Sequence, residues 1–488
     1  MSGLIGDLLV ARWRVRRRDE WKRGRLEDYQ ANALARLRLH ALEHSAYFAT
    51  HHRGLERAPL AELPPLTKER LMASWDGLVT SPTLSLDSVT RRLRELETGG
   101  TDPGRPWQGR WWMAATAGST GQRAVFVWNR REWISILSSY SRVNDWAGVK
   151  VGPRRRLPTA IVSTRNPAHQ SAVVGASLSN ALVPTLRLDA IQPIDELVAA
   201  LNRFHPRLLV CYASMLIPLA EAQLTGGLRI GPETVITASE EQLAPARLAA
   251  MEAWGVQVIN TYAATETATI ASMCSRGSMH VYEDFVVVEP VDNDYRPVPD
   301  GQVAERLLVT VLFSRTLPLI RYELTDSVCL AAAPCPCGSP YKVLESVVGR
   351  TEATLQMSGA NGDAVSVHPN VFHDAIEQIA VHGWQVEQTD TGVTVRVVDP
   401  DHRVDYPHLT TKVRAGLVAA GVSANVTVVV ERVGELARSR MGKAPLIVRR
   451  EGSLKLAIPP THSARFRPPL RGTSSELLGP STSLPPAQ

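Results

Sequence analysis

Residues 234–266 read TVITASEEQLAPARLAAMEAWGVQVINTYAATE: an apolar run, a helical stretch and a second apolar run. TVITAS and VQVINTY have the length and texture of strands buried on both faces, and APARLAAMEAW reads as the helix between them. The same alternation extends upstream, where LPTAIVS and RLLVCY read as strands and PIDELVAALNRF and MLIPLAEAQL as helices. From about 110 to 320 this pattern predicts an α/β layered domain built on mainly parallel sheet.

The flanks differ in texture. Residues 26–50 are helical in pattern, and in ELPPLTKERL the Pro-Pro pair ends one element while Thr67 can cap the next helix. PVDNDYRPVPDGQVAERLLVTVLF reads as strands joined by turns, hence a β-rich subdomain. After VVGRTEA come a helix (HPNVFHDAIEQI), a hairpin (WQVEQTDTGVTVRVV), a helix (YPHLTTKVRAGLVAAG) and a strand (ANVTVVVERV). The chain therefore divides into a basic segment (1–25), a large domain (26–349), a small α+β domain (350–450) and a tail (451–488). The tail has seven prolines and little patterning, the composition of a disordered segment.

With 488 residues, the chain is too long for one ordinary core. Its 44% hydrophobic and 21% charged residues describe a soluble globular protein, and no apolar run reaches membrane-spanning length. At the start, the basic residues follow the apolar piece, the reverse of a secretory signal. Five cysteines without a regular framework point to a reducing compartment, the cytoplasm. The net charge of +6 is concentrated at the ends: residues 1–25 carry eight Lys/Arg against three Asp/Glu, and the tail four against two. The body is thus not basic, and no nucleic-acid partner is expected. The basic start reads as a solvated amphipathic helix, with an anionic membrane surface or nucleic acid as the alternative.

Four stretches carry candidate chemistry. TAGSTGQR (116–123) lacks the Gly-Lys pair of the common phosphate loop, yet interleaved glycines and hydroxyls can wrap phosphate oxygens. NTYAATE (260–266) ends in a carboxylate suited to Mg²⁺. LPLIRYELTDSV places Asp326 after a strand, where it can accept from a ribose diol, and SRMGKAPLIVRR puts Lys443 in a glycine-flanked loop. Taken singly, these are a polar loop, a helix end, a turn aspartate and a surface lysine.

In order, TAGSTGQR, YAATE, PLIRYELTDS, GRTEA and RMGK resemble the adenylate-forming enzymes. The likeness is strongest to the phenylacetate–coenzyme A ligase branch, with its capsule-synthesis and F390-synthetase-like relatives, and runs from about 30 to 450. LPPLTKERL, RLLVCYASMLIPLAEA and VHPNVFHDAIEQI resemble that branch as well. The resemblance implies that Ser119, Thr120 and Gly121 cradle the ATP phosphates. Tyr262 would pack on the adenine, Thr265 would approach the phosphate, and Glu266 would bind Mg²⁺. Asp326 would hold the ribose, Arg350 would flank the nucleotide, and Glu352 would occupy the hinge. Lys443 would stabilise the adenylation transition state. Gln122-Arg123 replace the usual lysine of the phosphate loop, so Arg123 is read as a substitute for its charge.

The implied reaction is ATP-dependent activation of an aromatic or other small carboxylic acid as its acyl-adenylate, with coenzyme A as the acceptor. An amine, hydroxyl or carrier protein as acceptor, or a nucleotide-binding scaffold without turnover, are the alternatives; a homodimer is left open. Tyr212, Ala213 and Ser214 in VCYASM are candidates for the acid pocket. His169 in STRNPAHQSA reads as a surface loop histidine, with the acid pocket as its alternative. Cys274, His280, Cys335 and Cys337 suit a closed tetrahedral site for structural Zn²⁺, against a reading as unliganded thiols, while Cys211 and Cys329 read as buried thiols.

Overall fold

The alternation read around Thr234 builds one large sheet. The computed structural model describes residues 2–99, 102–116, 123–190, 192–238, 244–350, 355–359, 364–367, 370–376, 379, 381, 383–438 and 444–449. Four parallel pairings join Val258–Ala264, Thr234–Ala238, Leu208–Tyr212, Thr159–Ser163 and Thr185–Asp189 in that spatial order. Thr159–Ser163, Leu208–Tyr212 and Thr234–Ala238 are short and largely buried, as strands covered on both faces must be. The helices Gln170–Leu178, Ile194–Phe204, Leu216–Leu224 and Ala244–Trp254 are the crossovers, and Leu197, Leu201, Leu219 and Ala250 seal the last three onto the sheet.

The other half of that sheet is antiparallel. Beyond Val258–Ala264 lie Ala268–Met273, Met279–Val281, Val343–Arg350, Asp326–Leu330 and Val303–Ala304. The change of direction happens in the three-residue turn 265–267, after which Ala268 takes a left-handed φ of 61°. Val286–Val291, Arg306–Val311 and Tyr322–Leu324 form a separate three-stranded sheet, the expected β-rich part. A further hairpin pairs Trp112–Ala115 with Val125–Trp128, and every residue in both strands is buried. Trp112 stacks on Trp133 at 5.9 Å, and Trp75 Nε1 donates to the Val125 carbonyl at 2.9 Å, fixing the hairpin against the helices.

The basic start is a docked helix, Ser2–Asp19, lying along the helix Arg130–Trp146. Arg12 and Arg16 both reach Asp145, Arg130 holds Asp7, and Trp146 Nε1 donates to Asp19 at 3.1 Å. Beneath it Arg142 is fully buried and grips Asp284 through two bonds of 2.7 and 2.8 Å. Burial alone would disfavour that guanidinium's charge, but Asp284, Tyr341 and Asp19 hold its pKa well above its ordinary value. A charge so enclosed is retained only with such partners.

Towards the far end, Gly383–Gln388 and Gly392–Val398 form the predicted hairpin, flanked in parallel by Thr427–Val433 and Ile447–Arg449. Phe372, Ile376, Val386, Val395, Leu409 and Val413 belong to a core that these later elements share among themselves. Thr67 caps Lys68–Ala73 as read, accepting from the Arg70 N–H. Among the described residues, no helix is long and apolar enough to cross a membrane.

Candidate active site

The large sheet brings together residues that lie far apart in sequence. Tyr262, in the strand before the reversing turn, donates its hydroxyl to Asp326 Oδ2 at 2.6 Å. Asp326 opens its own strand and faces Arg350 in register. Three of the implied nucleotide residues therefore meet at one place, where an aromatic ring stands beside a carboxylate. Thr265 and Glu266 fall in the turn that follows, not at a helix end. The Glu266 carboxylate is buried, and Tyr322 donates to its Oε1 over 3.4 Å.

Gln170 sets the turn and escapes any sequence signal. Its Nε2 donates to the Thr265 carbonyl and its Oε1 accepts from the Tyr140 hydroxyl, both at 2.9 Å. Burial pushes the Tyr140 pKa far up, so its hydroxyl stays protonated and keeps donating. Beside Gln170, His169 is buried rather than on the surface, and its Nδ1 lies 2.9 Å from Ser171 Oγ.

Ser119, Thr120 and Gly121 lie outside the described residues, but the chain on both sides of them is well tied. The Thr116 N–H donates to the Ala124 carbonyl at 2.9 Å and the Ala124 N–H to Thr116 Oγ1 at 2.9 Å. The glycine-rich segment thus joins two paired strands. Arg123, read as a substitute for the missing lysine charge, bonds Glu97 Oε1 at 2.7 Å and the Thr116 carbonyl at 3.1 Å. These charge-assisted bonds brace the hairpin.

Among the acid-pocket candidates, Tyr212 and Ala213 are buried at the end of Leu208–Tyr212, and the Tyr212 hydroxyl accepts from the Thr164 N–H at 3.1 Å. Ser214 Oγ accepts from Arg438 at 3.0 Å, a link between the large sheet and the later module. Lys443 and Glu352 lie outside the described residues, and for Arg350 only the backbone is described. The chain bordering Lys443 is held by Gln385, whose side chain is fully buried. Gln385 Nε2 donates to the Ala437 and Pro445 carbonyls at 3.0 and 2.8 Å, and its Oε1 accepts from the Ala437 N–H at 3.2 Å. One amide thereby ties together both stems of the segment that carries the lysine.

A second cluster lies along the antiparallel half. Cys274, His280, Cys335 and Cys337 hold their donor atoms within 4.8 Å of one another. His280 Nδ1 is 3.0 Å from the Tyr341 carbonyl, which fixes the tautomer with Nε2 facing the thiols, 3.3 Å from Cys337 Sγ. The N–H groups of Arg276, Cys337 and Ser339 each point at a sulfur, of Cys274, Cys335 and Cys337 respectively, at 3.4 Å. Burial opposes ionisation of Cys335, but hydrogen bonds from Ser278, Cys337 and His280 outweigh it and lower its pKa to about 6. Three sulfurs held this way and one oriented imidazole make a donor set for a tetrahedral soft or borderline metal. Cys329 and Cys211 are buried, lie outside the cluster and form no disulfide.

No protein-family model matches the chain. Over 175 residues it is 28% identical to a phenylacetate-coenzyme A ligase of Thermus thermophilus, an alignment covering 34% of this chain and 39% of that protein. The chain thus matches well under half the length of this curated relative. Among solved structures it resembles a 2-hydroxyisobutyryl-CoA ligase in the postadenylation state with 2-HIB-AMP. The TM-score is 0.64 at 18% identity, over 89% of this chain and 92% of the other. The same ligase with 2-HIB-AMP and CoA in the thioesterification state gives a TM-score of 0.56 at 18% identity, over the same 89% and 92%. The chain has the α/β fold of these adenylate-forming ligases.

Proposed function

We propose that this chain is an ATP-dependent, AMP-forming carboxylate ligase that activates a small organic acid and transfers it to coenzyme A. The observation that carries the reading is the Tyr262–Asp326 hydrogen bond opposite Arg350, within the fold of ligases that form acyl-AMP. Phenylacetate and 2-hydroxyisobutyrate, the acids of those relatives, mark the size range.

In this reading a carboxylate oxygen of the acid attacks the α-phosphorus of ATP. The bond to the bridging oxygen breaks, pyrophosphate leaves, and an acyl-adenylate remains. Two anions must approach, so catalysis is mainly positioning and charge neutralisation. Asp326 would accept the ribose hydroxyls, Tyr262 would support the adenine, and Arg350 and Lys443 would face the developing charge. Ser119, Thr120, Gly121 and Thr265 would hold the phosphates. Glu266 would be the one protein ligand of Mg²⁺, an oxygen donor that fits a cation otherwise held by phosphate and water. The thiol of coenzyme A would then attack the acyl carbon and release AMP. Residues 26–349 and 350–450 would act as two domains about Glu352, with Tyr212, Ala213 and Ser214 near the acid.

Pyrophosphate release from ATP, screened over small acids with and without coenzyme A, tests the reading. No acid-dependent release would sink it, and release without thioester would move the acceptor to an amine, hydroxyl or carrier protein. Asp326→Asn should raise the KM for ATP roughly tenfold, the order of one lost charge-assisted bond, with a smaller change in kcat. An unchanged KM would remove Asp326 from the ribose. Gln385→Leu should lower the adenylation rate roughly tenfold by loosening the segment bearing Lys443. ATP affinity should hold, and an unaltered rate would show that the clamp does not matter.

A further inference from the structure

The first helix has apolar residues on two sides. Leu8 and Val15 face inward and join the main core. On the outward side Leu9, Val10 and Trp13 remain 59%, 50% and 56% exposed although the helix is already docked. Their spacing puts them on one face, and the exposed Gly6, Arg14 and Arg17 continue it. The Arg17 guanidinium lies 4.9 Å over the Trp13 ring. Packing among the described residues leaves about half of each of these side chains in water.

Charge narrows the choice of partner. Residues 1–25 hold eight Lys/Arg and three Asp/Glu. Of the three acids, Asp7 is held by Arg130 and Asp19 by Arg142 and Trp146, while Glu20, just past the helix, is exposed. Of the bases, Arg12 and Arg16 are held by Asp145 and Arg18 by Asp284, and Arg14 and Arg17 stay exposed. The outward face therefore offers apolar surface flanked by cations, with little carboxylate to balance them.

We propose that this face docks on an anionic lipid membrane, with Leu9, Val10 and Trp13 entering the interfacial zone and Arg14 and Arg17 meeting the headgroups. An amphipathic helix binds a bilayer surface through this combination of buried apolar area and basic residues, and tryptophan favours that depth. Nucleic acid would engage the arginines but leave Leu9, Val10 and Trp13 in water. A second copy packed face to face would join two cationic surfaces with little carboxylate between them.

The test is sedimentation of the full chain with vesicles of phosphatidylcholine alone or mixed with phosphatidylglycerol, at low and high salt. Binding should be at least about tenfold stronger to the anionic vesicles and weaken with salt. Leu9→Ser/Val10→Ser/Trp13→Ser and, separately, Arg14→Gln/Arg17→Gln should each lose about tenfold or more in vesicle binding. Acid-dependent pyrophosphate release should stay unchanged in both variants. If the triple variant melts early, the arginine pair, on exposed positions, decides the matter. The proposal is overturned if the unaltered chain ignores anionic vesicles, or if both variants bind as it does. It also fails if the triple variant instead converts a dimer to a monomer, or if only duplex DNA is bound.

Discussion

Lys443→Ala is expected to slow acyl-adenylate formation by about 10²–10³-fold, the usual cost of removing one preorganised charge partner from a transition state. The physical case is that pentavalent phosphorus concentrates negative charge while a second anion approaches, and an ammonium on a short tether can meet that charge without a proton transfer. ATP binding should change little, since the ribose, adenine and phosphate contacts proposed for Asp326, Tyr262 and Thr265 remain. The thioester half-reaction, supplied with synthetic acyl-adenylate, should also run near its normal rate. That pattern separates a transition-state role from a structural one, which would damage all three measurements together. Full-rate acid-dependent ATP–pyrophosphate exchange in the variant would end the assignment. The segment's stems give the prediction a structural footing: Gln385 joins Ala437 to Pro445, and Arg438 reaches Ser214 in the short helical turn after Leu208–Tyr212.

What the chain advertised locally came through closely. Four of the five parallel strands and three of the four crossover helices around 157–262 were legible because burial on two faces leaves uninterrupted apolar runs, each too short for a helix. Thr185–Asp189, mostly half-buried, and the helix Gln170–Leu178 before it gave no such run. The Cys/His cluster was legible as a group because cysteine is scarce and the order of these residues suggested one closed set. The reversal at 265–267 was hidden for a definite reason. Ala268 takes the left-handed conformation that a glycine would have flagged, at a cost on the order of 1 kcal/mol that the surrounding pairing must offset. Long-range polar pairing was not legible at all. Nothing local links Arg123 to Glu97, Tyr262 to Asp326 or Gln385 to Pro445, because each bond depends on the finished topology. The docking of the first helix belongs with these, since its ion pairs reach more than a hundred residues ahead to Asp145.

The cluster of Cys274, His280, Cys335 and Cys337 yields the other large effect. The protein as purified should carry close to one Zn²⁺ per chain, and Cys335→Ser/Cys337→Ser should carry none. Structural zinc in small peptides contributes about 10–16 kcal/mol of folding free energy at neutral pH. Here the hydrogen-bonded sheet supports part of the geometry without help, so a smaller loss of about 5 kcal/mol is reasonable. In a protein of this size that corresponds to a fall of roughly 5–10 °C in melting temperature. Direct elemental analysis and a melting curve, before and after chelation, measure both quantities. Cys329→Ser is the internal control: its thiol lies outside the cluster, near the Leu330 carbonyl and Glu345, and its loss should leave the zinc in place. The unliganded alternative predicts the opposite pattern, with no metal in the native protein and little change in the double variant. Because the cluster ties the hairpin after Ala268–Met273 to the loop before Val343–Arg350, its loss should loosen the strand that ends in Arg350. Acid-dependent pyrophosphate release should therefore survive in the cold but fail at a lower temperature than in the intact protein. A variant that lost its zinc yet kept both its melting point and its working range would show that the cluster does not brace the fold.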